Sequence, residues 1–162
     1  KSNLARFVNE FSNQLGVPSW KVKPNEEAKG GRVIVLEKKY MESENLHKET
    51  LSEKALGENK PIDTLFCVPP GQVIETENGE RRSLISLWLQ EQGHLVWDGA
   101  SSEIRKDVPR SEDQYRVVQY QSCRGLEGWI VVCLDLDQHY DNKYREEFKN
   151  NNFISFYHNI RT

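Results

Sequence analysis

Two runs of the chain, Leu65-Phe66-Cys67-Val68 and Ile130-Val131-Val132-Cys133-Leu134, are apolar at consecutive positions. A strand with one face in water alternates apolar and polar residues. Unbroken runs of this length mark strands covered on both faces, as in a parallel sheet sandwiched between other layers. Each run is strand-sized and far below the ~20 residues needed to span a membrane as a helix.

The rest of the chain alternates strand and helix signals. Residues 3–15 place Leu4, Phe7, Val8, Phe11 and Leu15 on one helical face, with Gly16 available as a left-handed cap. Residues 32–38, "RVIVLEK", are a β-branched run after two glycines and predict a strand. Residues 42–58 predict a solvent-facing helix ending at Gly57, and 62–70 a buried strand stopped by two prolines. A wide-striped helix is predicted over 81–92, ended by Gly93, with Leu84, Ile85, Leu87, Trp88 and Leu89 apolar. Strands are predicted at 94–99, 115–120 and 129–136, with a polar segment and one helical turn between 100 and 114. A charged helix is predicted over 142–152, and 153–160 fits either state. The order implies one α/β domain over residues 1–162, three layers deep, with a mostly parallel sheet. Ligands of such sheets bind at the carboxyl ends of the strands, within reach of the loops "PPGQ", "WDGA" and "SCRGLEG".

The chain has 162 residues, 29% of them charged, and a formal net charge of -3. That argues against binding nucleic acid by gross charge alone and leaves local basic patches open, among them Arg81 and Arg82, and Arg105, Lys106 and Arg110. The three cysteines, Cys67, Cys123 and Cys133, form no C-x-x-C pair, and the expectation is reduced thiols in a cytoplasmic protein. The absence of an initiator Met suggests a segment of a longer protein.

The stretch "QYQSCRGLEGWIVVCLDLD", residues 119–137, carries the most chemistry. Gly125 permits a tight turn or a close approach to a ligand. Glu127 offers a carboxylate to ribose hydroxyls, and Gln121 and Ser122 offer polar groups to phosphates. The same residues also suit an ordinary turn with a surface Arg124–Glu127 pair. "VVCLDLD" ends like the magnesium-binding strand of a nucleotide hydrolase, yet no G-x-x-x-x-G-K-[ST] occurs in the chain. Asp135, Asp137, His139 and Asp141 are candidate metal ligands, and a solvated acidic turn accounts for them better. Trp97 suits a core position or a base-stacking platform. Trp129 suits a packing role that holds Glu127 in place.

"SCRGLEGWIVVCL" resembles the fifth motif of the superfamily 1, UvrD-like DNA/RNA helicases: a polar segment, Lys-Gly-Leu-Glu, then an apolar strand. Arg124 stands at the lysine position, and Gly125, Leu126 and Glu127 match. Residues 63–102 are similar to the family's strand, loop, helix, glycine, strand block, with Val68-Pro69-Pro70 in place of a polar loop. Residues 2–11 are similar to the helix after the fourth motif. The resemblance implies the second RecA-like domain of such a motor. It implies nucleotide binding by Arg124, Gly125 and Glu127, and single-strand contact by Tyr120, Gln121, Ser122 and Trp97. It also implies ATP and Mg2+ as cofactors of the intact parent, with none expected for this segment alone and no resident metal. The partners implied are single-stranded nucleic acid, more readily DNA, and a first RecA-like domain, with no membrane. The catalytic arginines of the family fall outside these residues, so no catalytic residue is expected here. A non-motor regulatory module derived from the same fold is the alternative.

Overall fold

A computed structural model describes residues 2–14, 21–25, 27, 31–50, 52 and 57–149. The chain divides into two compact units, 1–37 and 38–162.

The first unit carries α1 (Ser2–Gln14). Asn9 holds the following segment in a two-way clasp, donating to the Val22 carbonyl at 3.0 Å and accepting from the Val22 amide at 2.8 Å. Asn3 donates to the Gly31 carbonyl at 2.8 Å. Ala5 and Ser12 are the buried residues of α1, whereas Leu4, Phe7 and Phe11 remain exposed. The strand expected over 32–38 is not formed. Val33, Ile34, Val35 and Leu36 are exposed and join no ladder among the described residues. β-branched composition favours a pleated surface only where a neighbouring strand supplies one.

The second unit is built on a four-stranded, fully parallel sheet. Its strands are β1 (Thr64–Val68), β4 (Leu95–Asp98), β5 (Gln114–Gln119) and β6 (Ile130–Cys133), in the spatial order β4-β5-β1-β6. β2 (Val73–Glu75) and β3 (Arg81–Ser83) form a separate antiparallel ribbon. The helices are α2 (Glu44–Thr50), α3 (Leu84–Glu91) and α4 (Leu136–Lys149). The α/β class and parallel sheet agree with the apolar run of β1, whereas β6 lies at the sheet edge and exposes Val131 and Cys133 instead of being covered on both faces. All five residues of β1 are buried, as a central strand between β5 and β6 requires.

Several boundaries move for identifiable reasons. The helix read over 81–92 begins only at Leu84, because Arg81–Ser83 pair with Val73–Glu75. Ser83 is the N-cap, its hydroxyl accepting from the Ser86 amide at 3.2 Å. The charged helix begins at Leu136, six residues before the expected start at 142, where the Asp135 backbone turns into the left-handed region at φ 47°. Within the polar segment 100–114, one 3-10 turn covers Ile104–Lys106. Of the helix expected over 42–58, α2 accounts for 44–50, while 51 and 53–56 lie outside the described residues, as does 153–160. α2 is not wholly solvent-facing, since His47 is 4% exposed.

One face of the sheet holds the larger core: Phe66, Val68, Tyr115 and Val117, packed with Ile85 and Leu89 of α3, with Tyr40 and with Leu134. The opposite face holds Leu65, Cys67 and Val118, covered by Trp97, Tyr120 and Cys123. No helix among the described residues is long and apolar enough to cross a membrane.

Candidate functional site

Parallel strands place all their carboxyl ends on one edge of the sheet. Three loops meet there: Pro69–Gln72 after β1, Tyr120–Ser122 after β5, and Leu134–Asp135 after β6. β1 lies between β5 and β6, so these loops are neighbours although 50 to 65 residues separate the first from the others. A cavity of about 260 Å³ opens between the Pro69–Gln72 turn and one side of α4, lined among others by Pro70, Gln72, Asp135, His139, Lys143 and Glu146.

Its walls are tied together. The Gln72 side-chain amide donates to the Asp135 carboxylate. The ring of Tyr120 stacks on that of His139, with centroids 4.8 Å apart and planes 18° from parallel. The Tyr120 hydroxyl donates to the Leu134 carbonyl at 2.8 Å, which joins the β5 loop to the end of β6. Burial pushes the Tyr120 phenol far above its ordinary range and lowers His139, so both are neutral near pH 7.

The connection from β5 to β6 is unusual. Residues 120–129 return from the carboxyl edge to the amino edge with one 3-10 turn and no α-helix, where parallel strands normally need a dozen or more residues and an α-helical crossover. The loop crosses the face formed by Leu65, Cys67 and Val118 and is pinned at its far end. Arg116 donates to the carbonyls of Ile62 and Glu127, and the Trp129 amide donates to the Asp63 carbonyl at 2.7 Å. Gly128 allows this crossing to lie close to the sheet. A Cβ there would stand 2.9 Å from the Ile130 oxygen, 3.0 Å from the Asp63 oxygen and 3.1 Å from Leu65. Gly125 turns the loop at φ 74° in open space.

The expected site residues therefore fall into two groups. Tyr120, Gln121 and Ser122 form one turn at the carboxyl edge. Gln121 donates to the Gln119 side chain at 2.6 Å, and Ser122 accepts from Arg105, which brings the 104–106 turn beside them. Trp97 packs on the same Leu65, Cys67 and Val118 cluster as Tyr120, and its indole nitrogen is enclosed without a partner among the described residues. Arg124, Gly125 and Glu127 are exposed, and the backbone of Glu127 lies at the amino edge, next to Arg116 and ahead of β6. Trp129 is 53% exposed, and its backbone amide is the atom that anchors the loop.

Elsewhere the expected residues are dispersed or already occupied. Asp137 and Asp141 are exposed on α4, and among the described residues no three Asp, Glu, His or Cys side chains converge as a metal group. Arg82 lies 3.4 Å from buried Asp98 and donates to Gln90 at 3.0 Å, so it is no loose cation. Sequence reasoning missed Gln72, the Tyr120–His139 stack and Arg116. Each acts through a neighbour brought close by strand order, which no local pattern encodes.

Comparison with family models, with curated proteins and with solved structures gives no match.

Proposed function

We propose that these residues form the second RecA-like domain of an ATP-dependent superfamily 1-type helicase or translocase acting on single-stranded nucleic acid, DNA more readily than RNA. The carrying observation is the crossover from β5 to β6, which contains no α-helix. It presents Tyr120, Gln121 and Ser122 at the carboxyl edge and Arg124-Gly125-Leu126-Glu127 along its return. The parallel sheet supports the reading as the fold that such a domain requires.

In this reading a first RecA-like domain supplies the phosphate loop and the magnesium ligands, and ATP is held between the two domains. The exposed Glu127 carboxylate receives the ribose hydroxyls. Arg124 adds positive charge next to it, and Gly125 keeps that side of the turn open. The strand runs past the Tyr120–Ser122 turn, where Arg105 contributes a cation beside Ser122. Motors of this kind stabilise the transferring phosphoryl group mainly by placed positive charge. None of the residues proposed here acts on that group, so these residues alone are inactive.

The test is ATP turnover by the parent chain with and without single-stranded DNA. Strand-stimulated turnover that Glu127→Gln reduces, through weaker nucleotide binding, is the expected result. Strand binding with no stimulation would favour a non-motor module, the reading to which Pro69-Pro70 at the end of β1 also lends itself. Turnover by the 162-residue chain alone, abolished by Glu127→Ala, would overturn the assignment of the phosphate loop to another domain.

A further inference from the structure

We infer that Cys133 is a peroxide-reactive thiol and that Cys67 resolves it, so that oxidation stitches β1 to β6 through a Cys67–Cys133 disulfide. The two residues are direct partners in the parallel ladder and share a face of the sheet. Adjacent strands hold such partners about 4.8 Å apart at Cα, inside the ~4.4–6.8 Å range that a disulfide spans. The pair is asymmetric in the way that stepwise oxidation requires. Cys133 is exposed on the edge strand, open to a small oxidant, while Cys67 is 3% exposed beneath it.

Their surroundings divide the roles further. The Cys67 thiol and the Tyr120 hydroxyl both lie within hydrogen-bonding reach of the Cys133 sulfur, and Cys67 leads in lowering that thiol to about 7. The Cys67 thiol is pushed far up by the neighbouring Cys133 sulfur and by burial, so it keeps its proton. Thiolates, not thiols, attack electrophiles. The third cysteine is occupied differently, since Cys123 donates its thiol proton to the Tyr120 carbonyl at 3.0 Å.

The chemistry balances with hydrogen peroxide as oxidant. The Cys133 thiolate attacks one peroxide oxygen, the O–O bond breaks, and the departing hydroxide takes a proton to become water. The sulfur has lost two electrons and is a sulfenic acid. With the Cys133 charge gone, Cys67 gives up its proton and its thiolate attacks the Cys133 sulfur; the S–S bond forms, the S–OH bond breaks, and the departing hydroxide takes up that proton as a second water. Two thiols and one peroxide give one disulfide and two waters. The link sits at the carboxyl ends of β1 and β6, one residue before Val68 and Leu134, which lead into the walls of the cavity.

The three cysteines fall on separate tryptic peptides, because cleavage after Arg116 and Arg124 parts them. The native chain, treated with hydrogen peroxide, is blocked with iodoacetamide, digested and mapped by mass spectrometry. The expected product is a linked peptide containing Cys67 and Cys133, absent in Cys133→Ser. A link to Cys123, or Cys133 sulfinic and sulfonic acids without any link, would overturn the inference. Native alkylation of Cys133 should also reach half its maximal rate near pH 7. Cys67→Ala should slow it about tenfold at that pH by returning the thiol towards ~8.5. A midpoint near 8.5 in the native chain would overturn the role of Cys67, and the mapping result stands even if that variant folds poorly.

Discussion

Arg116 on β5 reaches the backbone carbonyl of Glu127, eleven residues further along the chain, and with the same guanidinium holds the Ile62 carbonyl just ahead of β1. One side chain thus ties the end of the β5–β6 crossover to the amino edge of the sheet. Arg116→Ala leaves two carbonyls without their charged donor and is expected to cost about 1–3 kcal/mol. Urea unfolding measures the loss. Trypsin should also cut faster after Arg124 in the variant, at protease concentrations that leave the native loop intact. Equal stability and equal cleavage would mean that Arg116 does not hold the loop.

Gly125 and Gly128 occupy the same loop for different reasons, and substitution separates them. At Gly125 a Cβ meets open space, so Gly125→Ala suffers only from the left-handed φ of 74°. That costs about 1 kcal/mol. At Gly128 a Cβ would press on two backbone oxygens, which cannot swing aside as a side chain can. Gly128→Ala is expected to cost about 2–3 kcal/mol. Thermal or urea unfolding of the two variants should rank them in that order, and the reverse ranking would show that the crossover does not lie close to the sheet.

Asp98 organises the other end of the sheet. It is 1% exposed at the end of β4. It accepts from the Ser83 amide at 2.7 Å, the Ser83 hydroxyl at 3.1 Å, the Ser86 hydroxyl and the Ala100 amide at 3.3 Å, with Arg82 Nε 3.4 Å away. It therefore fixes both the cap of α3 and the loop after β4. Removing one partner of a buried charged network leaves the others unpaired, so Asp98→Ala should cost about 3–5 kcal/mol. Asp98→Asn retains one acceptor oxygen and should cost less. Denaturant midpoints of the two variants check both statements.

What could be read in advance divides along the same line as these residues. β1, β4, β5 and β6 were legible because their apolar runs are local, although only the central β1 is buried at every position, while the edge strands β4 and β6 expose Leu95, Val131 and Cys133. The segment 32–38 has the same β-branched character, yet no described strand lies beside it, and composition cannot report a missing neighbour. Ser83 did carry a readable sign, a capping serine three residues before Ser86, and it marks the start of α3 better than the apolar stripe does. The candidate site was half legible. Its residue types are written in 119–128, but their separation between two edges follows from β1 lying between β5 and β6, a non-local fact. The Cys67–Cys133 pairing has the same origin.

His47 supplies a pH-dependent element of stability that no local pattern announces. It is buried between Tyr40, whose hydroxyl lies 3.1 Å from Nδ1, and the rings of Trp88 and His94, at 4.4 and 5.8 Å between centroids. Nε2 is enclosed with no partner among the described residues. Burial, helped by nearby His94 and Lys48 and opposed by Glu44, lowers the imidazole from 6.5 to about 4. The unfolded chain takes up this proton near pH 6.5 and the folded chain only near 4, so between those values the unfolded state binds more protons. The contribution is complete above about pH 6.5 and is lost as the pH falls from there towards 4. With allowance for solvent screening it amounts to about 1–2 kcal/mol. His94 and His139 are lowered by burial too and act in the same direction, so the His47 share must be read as a difference. His47→Phe keeps an aromatic ring against Trp88 and cannot take a proton. Urea unfolding between pH 7.5 and 4.5 should show a shallower loss of stability in the variant than in the native chain, even if the variant is the less stable of the two at pH 7.5. Parallel pH profiles would place the acid-sensitive group elsewhere.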